Sequence, residues 1–114
     1  MPYISTKTSA PISAEKEAVL KQKLGKAIEC IPGKDESWLM LSFEDCAHLW
    51  FQGKNDRLYA MVEVKIFGSA DKKYYQAMTE TVTDILNEEL NIPKDCIYIK
   101  YDEEYHWGWN GRNF

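Results

Sequence analysis

The sequence has few cysteines, few arginines and no long apolar run, and each shortage excludes a class of protein. Its three cysteines, Cys30, Cys46 and Cys96, are widely spaced and form no Cys-x-x-Cys pair. This pattern indicates reduced structural thiols and favours a cytoplasmic location. No apolar run approaches the roughly 18 residues that span a bilayer, so no membrane association is expected. The first residues do not read as a secretory leader, so secretion through a signal peptide is not expected; non-classical release stays an alternative.

Basic charge is also scarce. The 14 lysines and arginines are outnumbered by 18 acidic residues, which gives a formal net charge of -4 at pH 7. Only Arg57 and Arg112 can supply the planar, bidentate contacts that phosphates favour. Because nucleic-acid binding needs a basic surface, we expect no nucleic-acid partner.

The familiar motifs of catalysis and cofactor binding are missing as well. The sequence contains no phosphate-binding loop, no dinucleotide fingerprint, no zinc spacing and no obvious nucleophile–base pair. Cys46-x-His48 is the one pair with ligand-like spacing, and it lacks two further ligands. His106 is a lone imidazole beside Trp107, a setting more typical of packing than of acid–base work. We therefore expect neither a metal nor a cofactor.

The hydrophobic pattern predicts strand, helix and strand, then the same order again. A chain of 114 residues is long enough for one core and too short for two, so we predict a single domain over residues 1–114. The predicted elements are strands at 3–8, 38–43, 58–67 and 96–101, a helix capped by Ser13 and ended by Pro32, and a helix capped by Ser69 and ended by Pro93. Residues 44–57 read as an irregular connection and residues 102–104 as a polar turn.

The two halves of the chain resemble each other. Ser13-Ala14-Glu15-Lys16 corresponds to Ser69-Ala70-Asp71-Lys72, and Ile31-Pro32 to Ile92-Pro93. We infer a duplicated β-α-β unit, with pseudo-repeats at about 2–45 and 58–104 and an aromatic tail at 105–114. The expected fold is an α+β sandwich, in which two helices cover one face of a four-stranded mixed sheet. We expect the other face to be apolar and to be covered by oligomerisation.

Both ends of the chain carry unusual residues. Trp107, Trp109 and Phe114 lie in the tail, where polar residues are the rule. Pro2 follows Met1, and removal of Met1 would give Pro2 a secondary amine that acts as a general base when burial or a cation lowers its pKa. The alternative is a proline that merely begins a strand.

The start Met1-Pro2-Tyr3-Ile4-Ser5, the segment 97–101 and the ending at 107–114 together resemble the macrophage migration inhibitory factor family of the tautomerase superfamily. The resemblance covers essentially the whole chain and is strongest to a bacterial, phenylpyruvate-tautomerase-like branch. It implies a homotrimer with extra short strands at the subunit edges and a pocket at each interface. The implied function is keto–enol tautomerisation of phenylpyruvate-like α-keto acids.

The resemblance also implies roles for individual residues. Pro2 would act as base and then as acid, and Lys34 would hold the substrate carboxylate; the alternative for Lys34 is an exposed turn lysine. The remaining implied contacts to substrate come from Phe67, from Tyr98 of a neighbouring subunit, and from an aromatic wall of Trp107, Trp109 and Phe114. The alternative for the tail aromatics is packing against a neighbour.

The sequence departs from the family pattern at several positions. Trp38 stands where a tyrosine is common, and Lys100 stands where animal members have asparagine; both are expected to line the substrate site. The Cys-x-x-Cys of animal members is replaced by Tyr59-Ala60-Met61-Val62, so thiol–disulfide activity is not expected. Two other functions stay open: another superfamily reaction on small carboxylic acids, and a non-catalytic, cytokine-like role through a protein partner such as a host receptor.

Overall fold

A computed structural model describes all 114 residues, Met1–Phe114. Its elements are β1 (Pro2–Thr8), α1 (Ala14–Ala27), β2 (Met40–Glu44), β3 (Ala60–Phe67), α2 (Lys72–Leu90), β4 (Ile97–Glu104), β5 (Gly108–Trp109) and β6 (Arg112–Asn113). Short 3-10 turns at Ile28–Cys30, Glu36–Trp38 and Lys94–Cys96 join them. None of the helices combines the length and apolarity that crossing a membrane requires.

The main sheet has four strands in the order β2-β1-β3-β4. β1 runs parallel to β2, β3 runs parallel to β4, and the two central strands are antiparallel to each other. Each half of the chain therefore forms one β-α-β crossover, and the halves meet at the β1–β3 pair. This arrangement confirms the predicted four-stranded mixed sheet with two helices.

The core lies between the sheet and the two helices. Alternate residues of β1 and β3 are buried, as the period of two in the sequence predicts. Their partners on the helices recur at helical spacing. The largest fully buried side chains are Ile4, Leu20, Leu24, Ile28, Ile31, Val62, Val64, Ile66, Met78, Val82, Leu86 and Ile92.

The opposite face of the sheet differs from the expectation. Its centre carries charged pairs instead of apolar side chains: Lys100 Nζ lies 3.5 Å from a Glu63 carboxylate oxygen and 3.5 Å from one of Asp102. Lys65 Nζ lies 3.9 Å from Glu63 on the same strand. The charged centre is compatible with water, whereas Met40 of β2 and Tyr98 of β4, on the same face, are large apolar side chains that stay mostly exposed in the single chain.

Several predicted boundaries need correction. α2 is capped by Asp71, whose side chain accepts from the Lys73 amide, and not by Ser69. The strand predicted at 38–43 instead spans Met40–Glu44, because Asp35 caps a 3-10 turn that includes Trp38. The predicted strand at 58–67 begins later, at Ala60. Residues 102–104 extend β4 instead of forming a turn, because they pair with Lys65–Phe67; polar side chains are compatible with a strand edge.

Candidate active site

Pro2 begins β1 and is buried opposite Ile66 of β3. Met1 precedes it, so the Pro2 nitrogen of this chain belongs to an amide. The Met1 carbonyl oxygen accepts a hydrogen bond of 3.0 Å from the Phe67 amide. The main chain of Phe67 therefore faces the first peptide bond of the chain.

The Lys34 side chain also contacts the main chain of Phe67, from the turn that follows α1. Lys34 follows Gly33, whose φ of +79° suits a residue without a Cβ and turns the chain after the first helix. Its side-chain ammonium donates a hydrogen bond of 3.0 Å to the Phe67 carbonyl oxygen. Met1 and Lys34 thus contact the two main-chain polar groups of one residue.

The electrostatics at this point favour a neutral amine. Burial lowers the pKa of the Met1 α-amino group below its ordinary value of 8.0, and the charge and hydrogen bonding of Lys34 lower it further. Asp35 acts weakly in the opposite direction. Lys34 therefore lowers the pKa of the amino group at the chain start, an effect that a lysine pointing into solvent from a turn would not have.

A mostly apolar cavity of about 680 Å³ opens beside Pro2. Trp38 and Trp109 meet in it edge to face, with ring centroids 5.0 Å apart. The lining residues are Met1, Pro2, Tyr3, Ser37, Trp38, Leu39, Met40, Trp107, Gly108 and Trp109. Four of the residues predicted from the sequence, Pro2, Trp38, Trp107 and Trp109, are therefore brought together.

The aromatic tail folds back over the chain start. β5 and β6 form a hairpin closed by Asn110 and Gly111, both with positive φ, as the Asn-Gly signal predicts. The Phe114 amide donates to the Trp107 carbonyl at 3.0 Å. The Phe114 ring lies 5.8 Å from that of Phe67, which links the end of the tail to the Lys34 contact.

Tyr98 and Lys100 lie elsewhere in the chain. Tyr98 pairs with Met61, five residues along β3 from the Ile66 that pairs with Pro2, which is about 17 Å at the rise of a strand. Tyr98 packs edge to face on Phe51, at 4.9 Å between centroids, and is largely exposed. Lys100 is held by Glu63 and Asp102, and Asp102 contributes most to raising its pKa. Neither residue reaches Pro2 of its own chain.

The sequence analysis did not assign the other six cavity residues to the site: Met1, Tyr3, Ser37, Leu39, Met40 and Gly108. Tyr3 and Met40 are direct partners in the β1–β2 register. The predicted parallel crossover places β1 beside β2, but it does not give the register that pairs these two residues. No cluster of three or more His, Cys, Asp or Glu side chains is arranged to hold a metal, and Cys46 and His48 lie in the loop after β2.

The chain is similar to known proteins along its whole length. A family model described as "Macrophage migration inhibitory factor (MIF)" matches residues 1–114. A macrophage migration inhibitory factor homolog from Brugia malayi is 28% identical over 116 residues, covering 100% of this chain and 99% of the homolog.

Solved structures agree with this match. The crystal structure of Leishmania major MIF2 is 32% identical with a TM-score of 0.92, over 100% of this chain and 97% of that one. A macrophage migration inhibitory factor homologue from Prochlorococcus marinus is 31% identical with a TM-score of 0.81, over 98% of both chains. The assignment to a bacterial branch stays a prediction, as does the cytoplasmic location.

Proposed function

The chain belongs to the macrophage migration inhibitory factor family, and on this premise we propose that it is a keto–enol tautomerase of phenylpyruvate-like α-keto acids. The proposal requires removal of Met1, which converts the Pro2 amide into a secondary amine. The observation that carries it is the convergence of Met1, Phe67 and Lys34 beside an aromatic cavity.

The Pro2 amine is proposed to act as the base and then as the acid. Burial and the Lys34 ammonium, which lower the pKa of the Met1 amino group, are also present around Pro2. In its neutral form, which a lowered pKa favours, the amine removes a proton from the carbon next to the keto group. The resulting ammonium then returns the proton to the oxygen, which yields the enol; the reverse order gives the ketone.

The main chain of Phe67 and the side chain of Lys34 are proposed to hold the substrate carboxylate. Loss of Met1 removes the acceptor of the Phe67 amide, leaving an unpaired donor close to the Pro2 nitrogen. The Lys34 ammonium, 3.0 Å from the Phe67 carbonyl, supplies the opposite charge. The substrate ring would lie between Trp38, Trp107 and Trp109, where burial of apolar surface contributes to binding.

Tyr98 and Lys100 are proposed to complete the site of a neighbouring copy in a homotrimer. The register separates them from Pro2 of their own chain, so they contribute only across an interface. Tyr98 has the exposure that such a role needs, with 60% of its surface free. A ring of copies related by rotation satisfies every such contact in the same way.

The arginine-dependent reactions of the superfamily receive no support from the positions of the two arginines. Arg57 is held by Asp95, at 3.1 Å, near the start of β4. Arg112 lies in β6, outside the lining of the cavity. Tautomerisation needs only a proline base, which loss of Met1 would supply, and a carboxylate-binding cation, which Lys34 would supply.

The experiment compares protein whose loss of Met1 is verified by intact mass spectrometry with a Pro2→Gly variant. Absorbance at the enol band follows the interconversion of phenylpyruvate enol and ketone. We expect the Met1-free protein to accelerate ketonisation and the variant to lose most of the acceleration. Equal rates for the two proteins, or no acceleration by the Met1-free protein, would refute the proposal.

A further inference from the structure

Glu103 makes contacts that connect the sheet to the start of α2. It lies in β4 and pairs with Ile66, which in turn pairs with Pro2 on the other side of β3. One of its carboxylate oxygens, Oε2, accepts a hydrogen bond of 3.2 Å from the Ala70 amide. The same oxygen accepts a second bond of 2.5 Å from the Tyr75 hydroxyl. Hydrogen bonds to an ionised acceptor are the stronger ones in proteins.

These bonds restrain the turn that follows Phe67. Gly68 adopts a φ of +94°, and its amide donates to the Glu104 carbonyl at 2.9 Å. Ala70, two residues later, is fixed by the Glu103 side chain. The turn is therefore held at two points by consecutive residues of β4. Phe67, whose amide and carbonyl contact Met1 and Lys34, lies directly before it.

Tyr75, the second donor, is itself fixed in position. Its ring stacks on Tyr101 with 4.7 Å between centroids. The Tyr101 hydroxyl donates to the Tyr75 carbonyl at 3.1 Å and is also hydrogen-bonded to Thr79 at 2.7 Å. Burial, with Glu103 adding to it, raises the pKa of Tyr75 to about 12, so the hydroxyl keeps its proton. The Glu103 carboxylate thus meets an ordered donor on α2.

We propose that Glu103 is a positioning residue of the candidate active site. This inference rests on the proposed function, because the site that Glu103 would serve is the Pro2 tautomerase site. The Glu103 carboxylate fixes the turn at 68–71 and thereby the main chain of Phe67, which orients Lys34 toward the substrate carboxylate. Glu103 itself points to Ala70 and Tyr75 and does not touch the substrate.

The test measures KM and kcat of Met1-free protein on phenylpyruvate for Glu103→Ala and Glu103→Gln. We expect Glu103→Ala to raise KM about threefold to tenfold, the range for residues that act through a hydrogen-bonded network, with kcat within about twofold. Glu103→Gln keeps an oxygen that accepts both bonds and should restore a KM near that of the unmodified protein. Glu104→Ala is the matched control, because it removes a neighbouring carboxylate whose side chain makes no bond to the turn.

A second measurement keeps the inference testable if Glu103→Ala folds poorly. Tyr75→Phe removes one donor and leaves the bond from Ala70, so it should raise KM by less than Glu103→Ala does. Amide hydrogen exchange at Ala70, read by nuclear magnetic resonance, should accelerate in Glu103→Ala and not in Glu104→Ala.

The outcomes separate the two proposals. An active parent protein with unchanged KM in both Glu103→Ala and Tyr75→Phe overturns the role of Glu103 and leaves the tautomerase proposal intact. A Glu103→Gln variant as impaired as Glu103→Ala also overturns it, because the hydrogen bonds would then not be the cause. An inactive Met1-free parent refutes the tautomerase proposal, and unchanged exchange at Ala70 would then refute the restraint of the turn.

Discussion

The side-chain ammonium of Lys34 donates a hydrogen bond of 3.0 Å to the main-chain carbonyl of Phe67. The two residues are 33 positions apart in the sequence. Lys34 follows the first helix, and Phe67 ends β3, so only the folded sheet brings them together. The bond anchors a flexible lysine at the start of β1, where its charge acts on the amino group of the chain.

Substitution of Lys34 tests that charge. Lys34→Gln should raise KM for phenylpyruvate, because a neutral amide binds the carboxylate more weakly than an ammonium does. Lys34 lowers the pKa of the chain amine, so its loss should raise that pKa and shift the acidic limb of the rate profile to higher pH. Steady-state rates over a pH series measure both effects.

Lys26→Gln is the matched control for this experiment. Lys26 lies on α1 and pairs only with Glu29, at 3.6 Å, so the variant makes the same charge change away from the cavity. An equal shift of the acidic limb in both variants would mean that net charge, and not the position of Lys34, sets the profile.

A mixing experiment tests whether Tyr98 serves a neighbouring copy. Pro2→Gly and Tyr98→Ala should each be impaired when assembled alone. Co-refolded mixtures should regain activity, because roughly a quarter of the sites then combine an intact Pro2 with an intact Tyr98 from another copy. Activity of the mixture equal to the average of the two variants would show that each site lies within one chain. Light scattering checks that the mixed assemblies have formed.

Trp109 is expected to affect aromatic substrates selectively. Its edge-to-face contact with Trp38 forms one side of the cavity, so Trp109→Ala should raise KM for phenylpyruvate about twofold to tenfold, the range of such aromatic pairs. A small aliphatic α-keto acid should show a smaller change. Tyr105→Ala removes an exposed tail aromatic outside the cavity lining and serves as the control. Equal effects on both substrates would contradict an aromatic wall around the substrate ring.

A carboxylate between the helices should make stability depend on pH. Glu89 accepts from Lys23 at 2.6 Å and from Lys16 at 3.1 Å, and these bonds hold its pKa below the ordinary 4.5. A lowered pKa means that the stabilisation is present above 4.5 and is lost as pH falls through the folded-state value. Glu89→Gln should therefore lower the melting temperature at neutral pH.

The difference between the parent and Glu89→Gln should shrink in acid, as thermal unfolding followed by circular dichroism would record. Glu88→Gln, a more exposed neighbour 4.0 Å from Lys23, should have a smaller effect. A deficit in Glu89→Gln that is the same at neutral and acidic pH would contradict the assigned role of the ion pairs.

The elements of the fold were largely predictable from local pattern, and the errors have local causes. Ile4, Val62 and Val64 alternate with polar residues, which identifies two strands and their buried face. The cap of α2 was assigned two residues early, because Ser69 and Asp71 both carry capping side chains and only the backbone decides between them. The polar residues at 102–104 extend β4 through pairing with β3, which local sequence does not encode.

The sequence by itself determined the two β-α-β units and the Asn110-Gly111 hairpin, which depend on periodicity and turn chemistry within short segments. Pro2 stood out by its residue type, whereas the family resemblance assigned Lys34 and Trp109 to the site. Only the tertiary structure decided that Lys34 bonds Phe67, that the centre of the open sheet face is charged, and that Tyr98 lies far from Pro2 of its own chain. Those relationships depend on strand register, which contacts between distant segments determine.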